Sequence, residues 1–310
     1  MNKPEKETSH SRQTRGFLMD LLKSNGLSPR KQFGQNFLID MNLLDTFVQT
    51  AKIDPKDVIL EVGAGTGGLT TRIAEKAARV ISVEIDSGLF RLVQVAVMAY
   101  PNVTLIHGDA LESKHTVSKQ VIDALTHAMA ENGVNEYSLV ANLPYDIAAP
   151  LIMNLILEKP TVRNMTTTIQ LEMGQKIIAE PGSEDYGPLA ILVRAVGSAE
   201  ILRVLPASAF WPRPNVESAF VRIEVASVPR IPRQDWTNFH EFVRDLFLYR
   251  RKSVRAALGK IDRLALVADQ RDAILSNLNM DANTRAEQMD VDALYRLFVE
   301  VRKCSNSELH

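Results

Sequence analysis

The chain of 310 residues contains one cysteine, Cys304, in a polar C-terminal stretch, which excludes an intrachain disulfide and a cysteine-based zinc site. No apolar run approaches the roughly 18–20 residues that a membrane span requires. The longest candidates, Ala148–Leu157 and Pro188–Val196, are short enough to be core segments. The stretch Met1–Ser11 is polar and charged and lacks the apolar centre of a secretion signal. There is also no surplus of charge. Against 36 Lys and Arg stand 37 Asp and Glu, so overall charge is not what would hold a nucleic acid. These absences point to a soluble, cytoplasmic chain in a reducing compartment, with no membrane contact and no metal expected. Any nucleic-acid contact is left to local patches.

The composition that remains, 45% apolar and 24% charged, is that of a globular protein, and the length suits about two domains of roughly 100–200 residues each. Asp57–Val62 is a short apolar run ending in a glycine-rich turn, and Gly68–Ala78 continues with helical spacing of Leu69, Ile73 and Ala77. Further strands are predicted at Arg79–Ile85, Val103–His107, Tyr137–Ala141 and Met165–Leu171, with helical stretches between them. This alternation predicts an α/β fold with a mostly parallel, doubly wound sheet. After the strand-like Ala219–Val225, Pro229 and Pro232 sit among polar residues, and the pattern beyond is helical at Phe239–Tyr249, Ser253–Leu258, Arg263–Val267 and Val291–Val301. The expected organisation is a mobile leader over residues 1–15, an α/β domain over 16–228 and a small all-helical domain over 229–310.

The strongest local signal is Glu61-Val62-Gly63-Ala64-Gly65-Thr66-Gly67-Gly68, between a strand and a helix. Glycines there allow a tight turn and let a ligand approach the backbone, where a side chain would collide. Gly63, Gly65 and Gly68 also spell the dinucleotide-binding pattern, whereas Glu61 and Gly67 favour the methyltransferase form. Glu84 ends the second strand, 21 residues after Gly63, at the spacing where a carboxylate meets ribose hydroxyls. Gly108-Asp109-Ala110 follows the third strand, which places Asp109 at the ligand crevice. Asn142-Leu143-Pro144-Tyr145 closes the fourth and selects the chemistry. An exocyclic adenine amine is a poor nucleophile because its lone pair is delocalised. An Asn oxygen and the carbonyl before proline can draw it out of conjugation, and Tyr145 offers a face for a flipped base. Two basic patches flank these motifs. Arg12 to Lys31 holds five basic residues and one acid, and Arg230 to Arg263 holds nine against four, densest at Arg250, Arg251, Lys252 and Arg255.

Together with Lys31-Gln32-Phe33-Gly34-Gln35-Asn36-Phe37-Leu38, Tyr186-Gly187-Pro188-Leu189, Ser208–Ala219 and Arg285-Ala286-Glu287, these motifs give the chain a resemblance, from Arg30 onward, to the small-subunit ribosomal RNA adenine N6,N6-dimethyltransferases. The resemblance implies a Rossmann-like, S-adenosylmethionine-dependent enzyme that methylates N6 of two adjacent adenines near the 3′ end of that RNA. It implies a monomer that meets its RNA within a pre-ribosomal subunit. It further implies that Asn36 and Leu38 close over the cofactor and that Gly63 and Gly65 cradle its methionine part. Glu84 with Ile85 would hold the ribose, Asp109 with Ala110 the adenine, and Asn142 would border both cofactor and target. Phe210 would be a second aromatic clamp. Arg250, Arg251, Lys252 and Arg255 would contact RNA. Three features depart from the family pattern. Asp146-Ile147-Ala148 stands where Asn-Ile-Ser is usual, Leu111–Glu136 is longer than usual, and Leu171 occupies a position where lysine is common. The alternatives are the related large-subunit adenine methylase, a non-catalytic assembly or transcription factor of the same fold, and, on the glycine motif alone, a nicotinamide dehydrogenase.

Overall fold

The structure, a computed structural model, describes residues 15–30 and 34–306. The expected leader lies outside the described residues apart from Arg15, as do Lys31-Gln32-Phe33 and Arg12 of the first basic patch. In chain order the elements are α1 (Arg15–Ser24), β1 (Phe37–Leu38), α2 (Met41–Thr50), β2 (Val58–Val62), α3 (Gly68–Ala74), β3 (Arg79–Glu84), α4 (Ser87–Ala96) and β4 (Val103–His107). They continue with β5 (Leu111–Ser113), β6 (Thr116–Val117), α5 (Lys119–Asn132), β7 (Glu136–Asn142), α6 (Tyr145–Leu157), β8 (Thr161–Gln170), α7 (Leu171–Ile178), α8 (Pro188–Val196) and β9 (Gly197–Leu205). Last come β10 (Phe210–Trp211), β11 (Ser218–Val225), α9 (Trp236–Phe247), α10 (Val254–Leu258), α11 (Ala268–Asn277) and α12 (Val291–Asn306).

A seven-stranded sheet runs β4-β3-β2-β7-β8-β11-β9, and its β4, β3, β2, β7 and β8 pair in parallel. Every residue of β2 is buried, as a parallel strand covered on both faces requires, which explains its unbroken apolar run. The order in which strands are added reverses between β2 and β7, and because β2, β3, β4 and β7 are parallel they all deliver their C-terminal ends to one crevice. Asp40 and Asp86 cap α2 and α4, each accepting two backbone N–H bonds, and so determine where those helices begin. The longer segment after β4 folds as the β5–β6 hairpin followed by the 14-residue α5. A buried cluster that includes Phe47 and Phe220, ring centroids 4.9 Å apart, joins α2 to the sheet.

The chain divides into two compact units, one running to Glu172 and taking in Ile201–Arg222, the other comprising Met173–Glu200 and the described residues from Ile223 onward. The boundary expected at 228/229 falls inside the second unit. The reason is α8, buried at Ala190–Val193, Ala195 and Val196, which packs against α9 and α12. Phe239, Phe242, Tyr295 and Phe298 join α9 to α12. Asp235 accepts from Tyr295 Oη and Arg302 Nη1, each at 2.6 Å. The helix expected at Arg263–Val267 is absent. A 3-10 turn at Asp262–Leu264 ends with Ala265 in the left-handed region (φ 50°), and Val267 is extended, so α11 starts only at Ala268. Among the described residues no helix is long and apolar enough to cross a membrane, and no group of three or more His, Cys, Asp and Glu could hold a metal ion.

Candidate active site

At the C-terminal ends of β2, β3, β4 and β7 lies a cavity of about 330 Å³, built entirely from the first unit. Its floor is the glycine turn. Gly63 and Gly65 have φ of +83° and +61°, and a Cβ on them would lie 3.3 Å from Pro144 and 3.1 Å from the Phe37 ring. The turn is therefore packed so closely against Pro144 and Phe37 that a side chain would crowd it, and both glycines line the cavity. Segment 34–37 lines the opposite wall. Gly34 (φ +58°) lies against Pro144 and Tyr145, and the Asn36 carbonyl accepts from Asn142 Nδ2 at 2.9 Å.

Glu84 is buried at the end of β3, where its two oxygens accept from Gly65 N (2.8 Å) and Asp86 N (2.9 Å). One carboxylate thus ties the glycine turn to the start of α4 while lining the cavity. Burial pushes its carboxyl above the usual carboxylate range, against the opposing pull of the Asp86 and Gly65 N–H bonds. Asp86 is the helix cap and pairs with Arg30 at 3.3 Å, which separates its role from that of Glu84. Asp109 Oδ1 accepts from Leu111 N at 2.9 Å, and Asp109, Ala110 and Ile85 also border the cavity.

Beneath the turn, Glu61 is fully buried. Its Oε2 accepts from Thr70 Oγ1 and Ser82 Oγ, both at 2.6 Å, and its Oε1 has no partner. Desolvation raises its carboxyl to about 7, opposed by the two hydroxyls. Because the folded carboxyl binds its proton more tightly than the unfolded one, this group's contribution to stability is complete below the unfolded value. It is lost as pH rises from about 4.5 to about 7. Glu61→Gln keeps both acceptor bonds without the ionisation. The variant should therefore gain on wild type above pH 7.5, by up to about 3 kcal/mol at 1.36 kcal/mol per unit, and lose that advantage near pH 5. Urea unfolding at both pH values measures this, and a pH-independent difference would contradict a buried ionising Glu61.

The Asn-Leu-Pro-Tyr segment spans the end of β7 and the start of α6. Because Asn142 Nδ2 is committed to the Asn36 carbonyl, its Oδ1 is left as the acceptor, with no donor engaging it among the described residues. Tyr145, half-buried, is anchored through its hydroxyl to Ser218 Oγ at 2.7 Å. Leu143 is buried, and its N–H bonds to the Thr168 carbonyl at 3.1 Å. Phe210 behaves differently. It pairs with Leu38 across β10 and β1, and both side chains belong to the buried core cluster, with Phe210 only 2% exposed. A ring so enclosed presents no face to the cavity. Among the described residues, the aromatic side chains that line it are Phe37, stacked on Trp211 at 6.4 Å, and Tyr145. Phe37 and Ser218 lie within the Lys31–Leu38 and Ser208–Ala219 segments, but sequence pattern alone carries no signal that their side chains reach the site.

In the second unit the basic motif is partly consumed by structure. Arg250 donates to Glu287 (2.9 Å) and to the Glu184 carbonyl (3.0 Å), and Arg285 stands 3.7 Å from the same Glu287. Arg255 pairs with Asp272 through both ends of its guanidinium. Arg251 and Lys252 are exposed, and their side chains have no partner among the described residues.

A doubly wound sheet, a glycine turn after its first long strand, a carboxylate ending the next and an Asn-Leu-Pro-Tyr segment across the same cavity define a Rossmann-like methyltransferase. The comparisons narrow the class. Residues 26–303 match the ribosomal RNA adenine dimethylase family. The ribosomal RNA small subunit methyltransferase A of Pelotomaculum thermopropionicum is 35% identical over 240 residues, 77% of this chain and 80% of its own. That of Geobacillus thermodenitrificans is 35% identical over 280 residues, 90% and 92% respectively. In structure, the chain is similar to a dimethyladenosine transferase from Plasmodium falciparum, with a TM-score of 0.69 at 23% identity, covering 85% of this chain and 96% of that one. The chain belongs to the ribosomal RNA adenine dimethylase family.

Proposed function

We propose that this protein transfers methyl groups from S-adenosyl-L-methionine to N6 of two adjacent adenines near the 3′ end of small-subunit ribosomal RNA. It would act as a cytoplasmic monomer on a pre-ribosomal subunit, in ribosome biogenesis. The observation that carries the reading is the orientation of Asn142. With its amide nitrogen held by the Asn36 carbonyl, its oxygen is left as an acceptor at the cavity that Tyr145 also lines. That pair suits an aromatic amine. The small-subunit assignment, over the large-subunit one, rests on what the curated relatives are called.

The cavity fits the cofactor on its own evidence. A Cβ on Gly63 or Gly65 would crowd the cradle, and a buried carboxylate ends the neighbouring strand. Gly63, Gly65 and Asn36 would hold the methionine part, Glu84 with Ile85 the ribose, and Asp109 with Ala110 the adenine. When bound, the cofactor supplies an electrophilic methyl on a sulfonium leaving group. This chain's residues then need chiefly to align the amine. Asn142 Oδ1 and the Leu143 carbonyl accept from it, Pro144 stiffens the turn, and Tyr145 stacks the base, so its proton can pass to water without a general base. Arg251 and Lys252, exposed and unpaired, are the phosphate contacts, while Arg250 and Arg255 shape the surface that carries them.

The test is to incubate the protein with labelled S-adenosylmethionine and unmethylated small subunits, mapping modified adenines by primer extension. Label at two adjacent adenines is expected, and no label in that RNA would overturn the reading. In the same assay Arg251→Glu with Lys252→Glu should abolish labelling at physiological salt and leave cofactor affinity unchanged. The log–log salt slope of RNA binding should flatten by about one unit per lost contact.

A further inference from the structure

The cavity wall is electrostatically one-sided. Three carboxylates border it, Glu84, Asp109 and Asp146, and no Lys, Arg or His does so among the described residues. Val62, Val83, Leu89 and Ile147 supply apolar surface around them, and walls of that kind focus a negative potential rather than letting solvent dissipate it. Such a cavity disfavours a diphosphate, as a dinucleotide would bring, and favours a ligand carrying positive charge.

The three carboxylates are not equivalent. Glu84 is occupied by two backbone N–H groups, and Asp109 by one. Asp146 differs from both. It stands in the first turn of α6, one residue after Tyr145, exposed at the cavity, and no hydrogen bond or ion pair engages its side chain among the described residues. The first turn of a helix is a favourable place for a carboxylate.

We infer that Asp146 is a specificity-determining residue that reads the charge on the cofactor's sulfur, favouring the cationic sulfonium over the neutral thioether left after transfer. This rests on S-adenosylmethionine being the cofactor. In the transfer the amine lone pair forms the new N–C bond, the C–S pair returns to sulfur, and the displaced N–H proton goes to water. The cavity thereby loses one positive charge. Asp146 loses its attraction to the bound molecule at that step, which weakens product relative to substrate and speeds its exchange.

The experiment is calorimetric titration of the full chain with S-adenosylmethionine and, separately, S-adenosylhomocysteine, for wild type, Asp146→Asn and Asp146→Glu, at low and high salt. Asp146→Asn should lower sulfonium affinity about three- to fivefold, the worth of one solvent-exposed charge interaction, and change thioether affinity less than twofold. Asp146→Glu should preserve the wild-type ratio, and that ratio should shrink as salt screens the carboxylate. A sulfonium-to-thioether ratio in Asp146→Asn equal to that of wild type would overturn the inference while leaving the cofactor assignment standing. Failure of wild type to bind either compound would overturn both.

Discussion

Asn142→Ala should slow methyl transfer by about a hundredfold to a thousandfold in single turnover at saturating RNA and cofactor. The amide oxygen is a preorganised acceptor, and losing one such group at a reacting centre costs about 2.7–4 kcal/mol of transition-state stabilisation. Preorganisation is visible in the structure. The Asn142 amide nitrogen donates to the Asn36 carbonyl at 2.9 Å, so the side chain cannot turn its oxygen away without breaking that bond. Since alanine also releases the Asn36 carbonyl, cofactor affinity should be measured alongside the rate. A loss confined to the transfer step supports the assignment. A folded, RNA-bound variant that transfers methyl at the wild-type rate would remove Asn142 from the chemistry.

For Glu84→Ala, cofactor affinity should fall by at least about a hundredfold. On the proposed placement of the cofactor, two charge-assisted hydrogen bonds to the ribose, roughly 1.5–3 kcal/mol each before water restores part of the loss, would disappear together. The N–H groups of Gly65 and Asp86 lose their acceptor as well, so the glycine turn loosens on its β3 side. Because burial raises the Glu84 carboxyl above its ordinary value, wild-type affinity should also weaken on acidification, as protonation removes one acceptor oxygen. Glu84→Ala should lack that acid limb. Calorimetry with S-adenosylhomocysteine across pH decides the matter, and an unchanged affinity would place Glu84 outside the site.

The parts of this molecule legible in the sequence are those governed by neighbours along the chain. The apolar run ending at Val62, the glycine turn and the carboxylate at Glu84 are local patterns, because strand, turn and helix each impose their own residue period. The Asn-Leu-Pro-Tyr segment was readable as a motif for the same reason, since it is four consecutive residues. Aromatic identity says nothing of which way a ring faces, and in the structure pairing of β10 with β1 puts Phe210 in the core beside Leu38. Tertiary structure alone brought Ser218 to the Tyr145 hydroxyl, 73 residues away in sequence. It alone converged Arg250 and Arg285 on Glu287, so that part of an apparent nucleic-acid patch is held in surface ion pairs. Charge, glycine spacing and the succession of strands and helices along the chain were determined by the sequence itself, being properties of composition and local conformation. Which carboxylates share one cavity, and which cations remain unpaired, depend on contacts between distant segments, and only the folded chain decided them.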